Sequence, residues 1–284
     1  MRRKILITTD FSKNAMKALR YAIELYKNDS CDFYLLNVFT AGGNIMEDLM
    51  NMEPGTELYE RKKLDSENGL AKIFNMIAMS ENGNPKHHFK TISIFNNPIE
   101  TIKDVIEKKD IEMVVMGTKG ETYSRATAFG STAINVMEKV RNCPVIVVPL
   151  NAKSVMPKEI VFPTSYKTHY KKRELNYLTD IAKKTDATII VLHISKESEL
   201  NKEQKENKQL LEDILEGTNH KPHFLSHNSV ETAINIFIES RDSDMVAFIN
   251  KKHTFFGSVL TNPLVKSISF HTKVPILVMH DLRN

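Results

Sequence analysis

Met113-Val114-Val115-Met116-Gly117-Thr118-Lys119-Gly120, with Gly130-Ser131-Thr132 following nine residues later, decides how this chain is read. Four successive apolar residues without polar alternation suit a strand buried on both faces, as in a parallel sheet. Gly117 and Gly120 come directly after it, where a backbone without Cβ lets a ligand approach closely. Gly130 stands where a helical pattern opens, and the first N–H groups of a helix face an anion. The spacing predicts a phosphate cradle, and hence nucleotide binding.

Upstream, Ile5-Leu6-Ile7 and Phe33 to Val38 read as buried strands. Between them Ala15, Ala18, Leu19, Ala22, Ile23 and Leu25 recur at helical spacing after Asp10 and Ser12. Strand, helix, strand is a right-handed βαβ crossover with parallel pairing. Residues 58–80 read as a long amphipathic helix and Lys90 to Ile94 as a third strand. Ile99 to Lys108 reads as a helix, Met113 to Met116 as the fourth strand, Ser131 to Arg141 as a helix and Val145 to Val148 as the fifth strand. This alternation predicts a doubly wound α/β sheet. The Met-rich stretch Ile45 to Met52 reads as a helical flap or core filler.

The same order then returns. Glu159 to Pro163 echoes Lys4 to Ile7, and Thr188 to His193 echoes the second strand. Asn228 to Ile234 matches Asn97 to Ile102, Asp244-Met245-Val246 matches Glu112-Met113-Val114, and Val274 to Val278 matches Cys143 to Val147. Five matched elements in one order predict a tandem duplication: domains at 1–150 and 158–284, joined by the short linker Asn151 to Pro157.

Parallel strands end at a common edge, so Asp10 after the first strand and Gly117 after the fourth converge on one crevice. A carboxylate there suits a ribose hydroxyl or an adenine amino group, and the glycine loop suits phosphates. Asp10 and Ser131 each also read as helix caps. Lys119 and Arg125 lie in or near the loop, where they either meet phosphate charge or stay solvated.

Composition narrows the alternatives. The formal charge of +4 is small and both halves mix the two signs nearly evenly, so nucleic acid is not expected as a partner. Cys31 and Cys143 lack CxxC spacing and read as small buried residues of a reducing compartment. No apolar run approaches membrane-spanning length, and the apolar stretch after Arg2-Arg3-Lys4 is too brief for a signal peptide, so a cytoplasmic protein is expected. GxxxxGK[ST], GxSxG and GxGxxG are all missing. His220, His223 and His227 span a Pro222 turn and a strand, a poor arrangement for a metal.

The element order, Asp10, and Gly117-x2-Gly120-x9-Gly130-Ser131 together resemble the universal stress protein family in its ATP-binding branch, over nearly the whole chain. The resemblance implies an adenine nucleotide alpha hydrolase-like fold: two tandem doubly wound five-stranded parallel-sheet domains. It implies that Asp10 contacts ribose or adenine, that the Val38 backbone meets the adenine ring, and that Met116 lies beside the base. Gly117 and Gly120 would line the ribose and phosphates, with Gly130, Ser131 and Thr132 holding the phosphate tail. ATP, AMP or ADP is the implied ligand, with Mg accompanying the phosphates. Thr8, where the family often has proline, and Ala133, where a hydroxyl residue is frequent, depart from its pattern.

The second half departs further. Ile249 and Lys252 align with Gly117 and Gly120, Thr261-Asn262 with Gly130-Ser131, and Ser165 with Asp10, so no cradle is expected there. Gly257-Ser258 falls four residues before the aligned position, and Pro263 suits the first turn of a helix with Leu264, Ile268 and Phe270 inward. The family pairs domains through its last strand. Val145 to Val148 and Ile276 to Met279 are therefore expected to meet as an intrachain pseudo-dimer, with homodimerisation beyond it left open.

Three functions follow from these residues. The first is a non-enzymatic regulatory module, which binds an adenylate in the first half, orders the Glu121 to Phe129 loop and alters a surface seen by a protein partner; a part in the stress response is what the family resemblance implies for it. The second is a slow ATPase or phosphotransferase, for which Glu121 is the one acid in the loop. The third is a ligand-independent scaffold, which the intact glycines argue against.

Overall fold

The computed structural model describes residues 2–40, 54–79, 84–118, 130–153, 156–250 and 273–280. The predicted structure of 41–53, of the loop 119–129 and of 251–272 lies outside them, so the flap, the placements of Lys119, Gly120 and Arg125, and everything expected around Gly257, Thr261 and Pro263 do too.

The first half runs β1 (Arg3–Thr8), α1 (Lys13–Leu25), β2 (Cys31–Phe39), α2 (Glu57–Ala78), β3 (His87–Phe95), α3 (Pro98–Lys109), β4 (Met113–Gly117), α4 (Ser131–Lys139) and β5 (Val145–Val148). The second runs β6 (Glu159–Pro163), α5 (Lys172–Thr185), β7 (Thr188–His193), α6 (Lys202–Leu215), β8 (His220–Phe224), α7 (Val230–Arg241), β9 (Met245–Asn250) and β10 (Ile276–His280). The strands form one sheet in the order β3-β2-β1-β4-β5-β10-β9-β6-β7-β8. Each half is parallel and doubly wound. The halves join where β5 and β10 run antiparallel, with Val147, Ile146 and Val145 opposite Ile276, Leu277 and Val278. The expected meeting of the two last strands is thus met, and each apolar edge covers the other.

Alternation along the strands sorts side chains onto two faces. Ile5, Ile7, Met113, Val115, Ile146, Leu277 and Met279 enter one core layer. Leu6, Val114, Met116, Val145, Val147, Ile276 and Val278 enter the other. Each layer is continuous across both halves.

The likeness between the two halves extends to single hydrogen bonds. The Thr9 amide donates to Leu36 O (2.9 Å) and the Thr164 amide to Leu192 O (2.8 Å). The Phe11 amide donates to Thr9 Oγ1 and the Tyr166 amide to Thr164 Oγ1, both at 3.0 Å. Phe11 (φ 66°) and Tyr166 (φ 56°) share the left-handed conformation that turns the chain off its strand. Asp110 and Asp242 each close the helix before the fourth strand of their half in the same conformation.

Two local expectations are corrected. Asp10 does not cap α1; Ser12 does, its Oγ accepting the Ala15 amide at 3.2 Å. Asp10 instead accepts the Ser12 amide at 3.1 Å, a side-chain turn that spans the left-handed Phe11. Pro222 is not in a turn; it lies in the middle of β8, an outermost strand, where a missing N–H costs no ladder bond.

Candidate functional site

In a doubly wound sheet the strand order reverses once, and helices on either side of that point leave a crevice at the carboxyl edge. Here the reversal falls between β1 and β4, which pair through Ile5 to Ile7 and Met113 to Val115. The cleft at this edge has a volume of about 370 Å³. Its lining includes Thr8 and Asp10 from the end of β1, Val38 from β2, Met116 and Gly117 from β4, and Gly130 and Thr132 from the start of α4. Seven of the ten residues singled out from the sequence thus line one cleft. Ser131, the first residue of α4, is exposed and does not line the cleft. Lys119 and Gly120 lie outside the described residues.

The start of α4 differs from that of its neighbour. Asn97 caps α3, its Oδ1 accepting the amides of Ile99 (2.9 Å) and Glu100 (3.4 Å). By contrast, α4 begins on Gly130, which offers no side-chain cap, so the cap expected of Ser131 falls one residue too late. An N-terminus of this kind presents main-chain amides toward the cleft. The Gly130 amide donates to Thr118 O at 2.6 Å, which ties the strand end to the helix start.

Gly117 is glycine for a reason the sequence did not reveal. A Cβ there would stand 2.9 Å from Asn14 Cγ and Nδ2 and 3.1 Å from the Asn14 carbonyl carbon, on the α1 side. Asn14 is buried, and its Nδ2 donates to Thr118 Oγ1 at 2.9 Å. Close packing of α1 beneath the strand end thus excludes a side chain. The Asp10 turn is fixed from below, where buried Asn37 donates from Nδ2 to Thr9 O at 2.7 Å.

Several lining residues were missed: Thr9, Ala15, Leu36, Thr40, Pro98, Ile102 and Thr118. Leu36 was legible, since it alternates with Val38 on β2. Pro98 and Ile102 were not, because only the crossover after β3 brings the start of α3 over the cleft. Asp10 is the one charged residue among the described lining residues, and no described cluster of three or more His, Cys, Asp and Glu could hold a metal.

The corresponding turn of the second half is built differently. Ser165 takes the place of Asp10, and Pro163 that of Thr8. His193 takes the place of Asn37, its Nδ1 2.8 Å from Thr164 O. Gln204 Nε2 donates to Ser165 O at 2.8 Å and Asn207 Nδ2 to Tyr166 O at 2.9 Å, so α6 pins this turn.

Among known proteins, the model of the Universal stress protein family matches residues 1–149. Universal stress protein MJ0531 of Methanocaldococcus jannaschii is 29% identical over 146 residues, which are 51% of this chain and 81% of that protein. Universal stress protein MJ0577 of the same organism is 27% identical over 155 residues, 52% of this chain and 95% of that one. The crystal structure of a universal stress protein from Archaeoglobus fulgidus superposes with a TM-score of 0.72 at 16% identity, covering 97% of each chain. That likeness concerns the fold, and it extends through both halves. No described helix is long and apolar enough to cross a membrane.

Proposed function

This chain belongs to the universal stress protein family, and on that footing we propose that its first half binds one adenine nucleotide in the β1/β4 crevice and acts by binding alone. The observation that carries the reading is that Asp10 and the start of α4, whose cap Gly130 carries no side chain, line the same cleft. Asp10 takes the ribose or the adenine amino group, while Val38 and Met116 lie against the base. Gly117 and Gly120 line the ribose and phosphates. Gly130 and Thr132 hold the phosphate tail, with Ser131 contributing through its main-chain amide rather than from the cleft lining and Lys119 meeting the charge. A cleft of about 370 Å³ falls within the usual range for small-molecule sites. ATP is the leading ligand, with ADP and AMP as alternatives, and Mg arrives on the phosphates. Ser165 in place of Asp10 limits binding to one site per chain.

Calorimetric titration of the full chain with ATP, ADP and AMP tests this. One site per chain is expected, weakened about tenfold or more in Asp10→Ala, as for loss of a hydrogen bond to a charged group. No heat with any of the three, or two equal sites per chain, sinks the reading.

A further inference from the structure

The far end of α4 is held by the other half of the molecule. α4 has nine residues, fewer than the roughly 12 to 15 a helix needs to persist on its own, so its position depends on what it touches. Its last carbonyls have no partner within the helix. One of them, Met137 O, accepts a hydrogen bond from Asn250 Nδ2 at 3.1 Å. Arg141, two residues beyond the helix, returns the contact: its Nη2 donates to the Asn250 carbonyl at 2.5 Å. Asn250 closes β9, and with Met245 set against Met113 it occupies the position Thr118 holds after β4. Where Thr118 ties the start of α4 to the crevice, Asn250 clasps the end of the same helix from across the β5/β10 joint.

We infer that Asn250 and Arg141 are positioning residues for the nucleotide site, and that the second half contributes to binding by fixing α4 rather than by holding a ligand. This rests on the nucleotide reading above. The helix is gripped at both ends: Gly130 is tied to Thr118 at the crevice, and Met137 and Arg141 are tied to Asn250 on the second half. A nucleotide that engages the first turn therefore favours the arrangement the clasp favours. Linkage makes the coupling reciprocal, so nucleotide must also tighten the clasp.

Calorimetric titration of ATP into the full chain, with Asn250→Ala, Arg141→Ala, the double variant and Arg141→Lys, tests the inference. Each alanine variant is expected to raise Kd about fivefold or more. The double variant should lose less than the product of the two, because both bonds belong to one joint. Arg141→Lys should recover part of the loss. Amide hydrogen exchange gives a readout that a merely structural role would not move: saturating ATP slows exchange at the end of β9 in the wild type and not in Arg141→Ala. Arg141 is partly exposed, so this variant carries the test if Asn250→Ala does not fold. Wild-type affinity in a folded alanine variant overturns the clasp and leaves the nucleotide reading standing. A wild type that takes up no adenylate overturns both.

Discussion

Glycines at two positions of the first half show how one residue type answers to different neighbours. At Gly117 an added Cβ meets the Asn14 side chain and also its backbone carbon, which belongs to α1 and cannot turn aside. At Gly69, inside α2, an added Cβ meets the outer edge of the Phe11 ring at 2.4 to 2.7 Å, and that ring is the free end of a rotatable side chain. Gly117→Ala is therefore expected to cost about 1–3 kcal/mol as an overpacked site. Gly69→Ala recovers up to about 1 kcal/mol of helix propensity against the turning of one ring, so its cost is smaller. Urea unfolding of the two variants ranks them; a Gly117→Ala protein as stable as the wild type would remove the Asn14 argument. Gly117 thus lines the cleft and also packs closely against α1, and the packing by itself disfavours a side chain there.

Elements that carry buried histidine set the response to pH. His193 at the end of β7 and His87 at the start of β3 are 5% and 8% exposed. Burial lowers the pKa of each imidazole, and a hydrogen bond to a main-chain carbonyl, of Thr164 or Tyr26, opposes it. Both groups thus sit below the ordinary 6.5 in the folded chain. Well above pH 6.5 neither state is protonated and their contribution to stability is complete. As pH falls below that value, the unfolded chain takes up protons first and stability is lost. Thermal melts between pH 7.5 and 5 should show a falling midpoint, with a shallower fall in His193→Gln. Equal slopes in the two proteins would exclude His193 as a source. The elements differ in a second way: β8 carries Pro222 at its middle while β3 is nine residues long and free of proline, so the two outer edges are not equivalent.

Across the whole molecule, the continuity of both core layers through the β5/β10 joint predicts one cooperative unfolding unit rather than two. Leu277 is fully buried opposite Ile146, and Leu277→Ala should cost about 2–5 kcal/mol. Calorimetry should give a single transition whose calorimetric and van't Hoff enthalpies agree, in both variant and wild type. Two resolved transitions would mean that the halves fold independently. Charges reinforce the joint on the α1/α5 side: Arg3 meets Asp180 at 2.8 Å, Lys184 pairs with Asp29, and the Lys184 ammonium lies 4.1 Å from the centre of the Tyr26 ring. Much of this architecture was legible in the chain itself. Apolar runs named the strands other than β8, helical spacing named α1 to α4, matched segments named the repeat, and Gly117, Gly130 and Asp10 marked one edge of the sheet. Those signals are local: each is carried by residues within a few positions of one another, so periodicity and turn chemistry suffice to read them. Tertiary structure alone decided that Ser12 rather than Asp10 caps α1, that Asn14 forbids a side chain at 117, that Pro98 and Ile102 complete the cleft, and that Asn250 grips α4. Each of these depends on which distant segments the strand order brings into contact, and packing of that kind leaves no period along the chain.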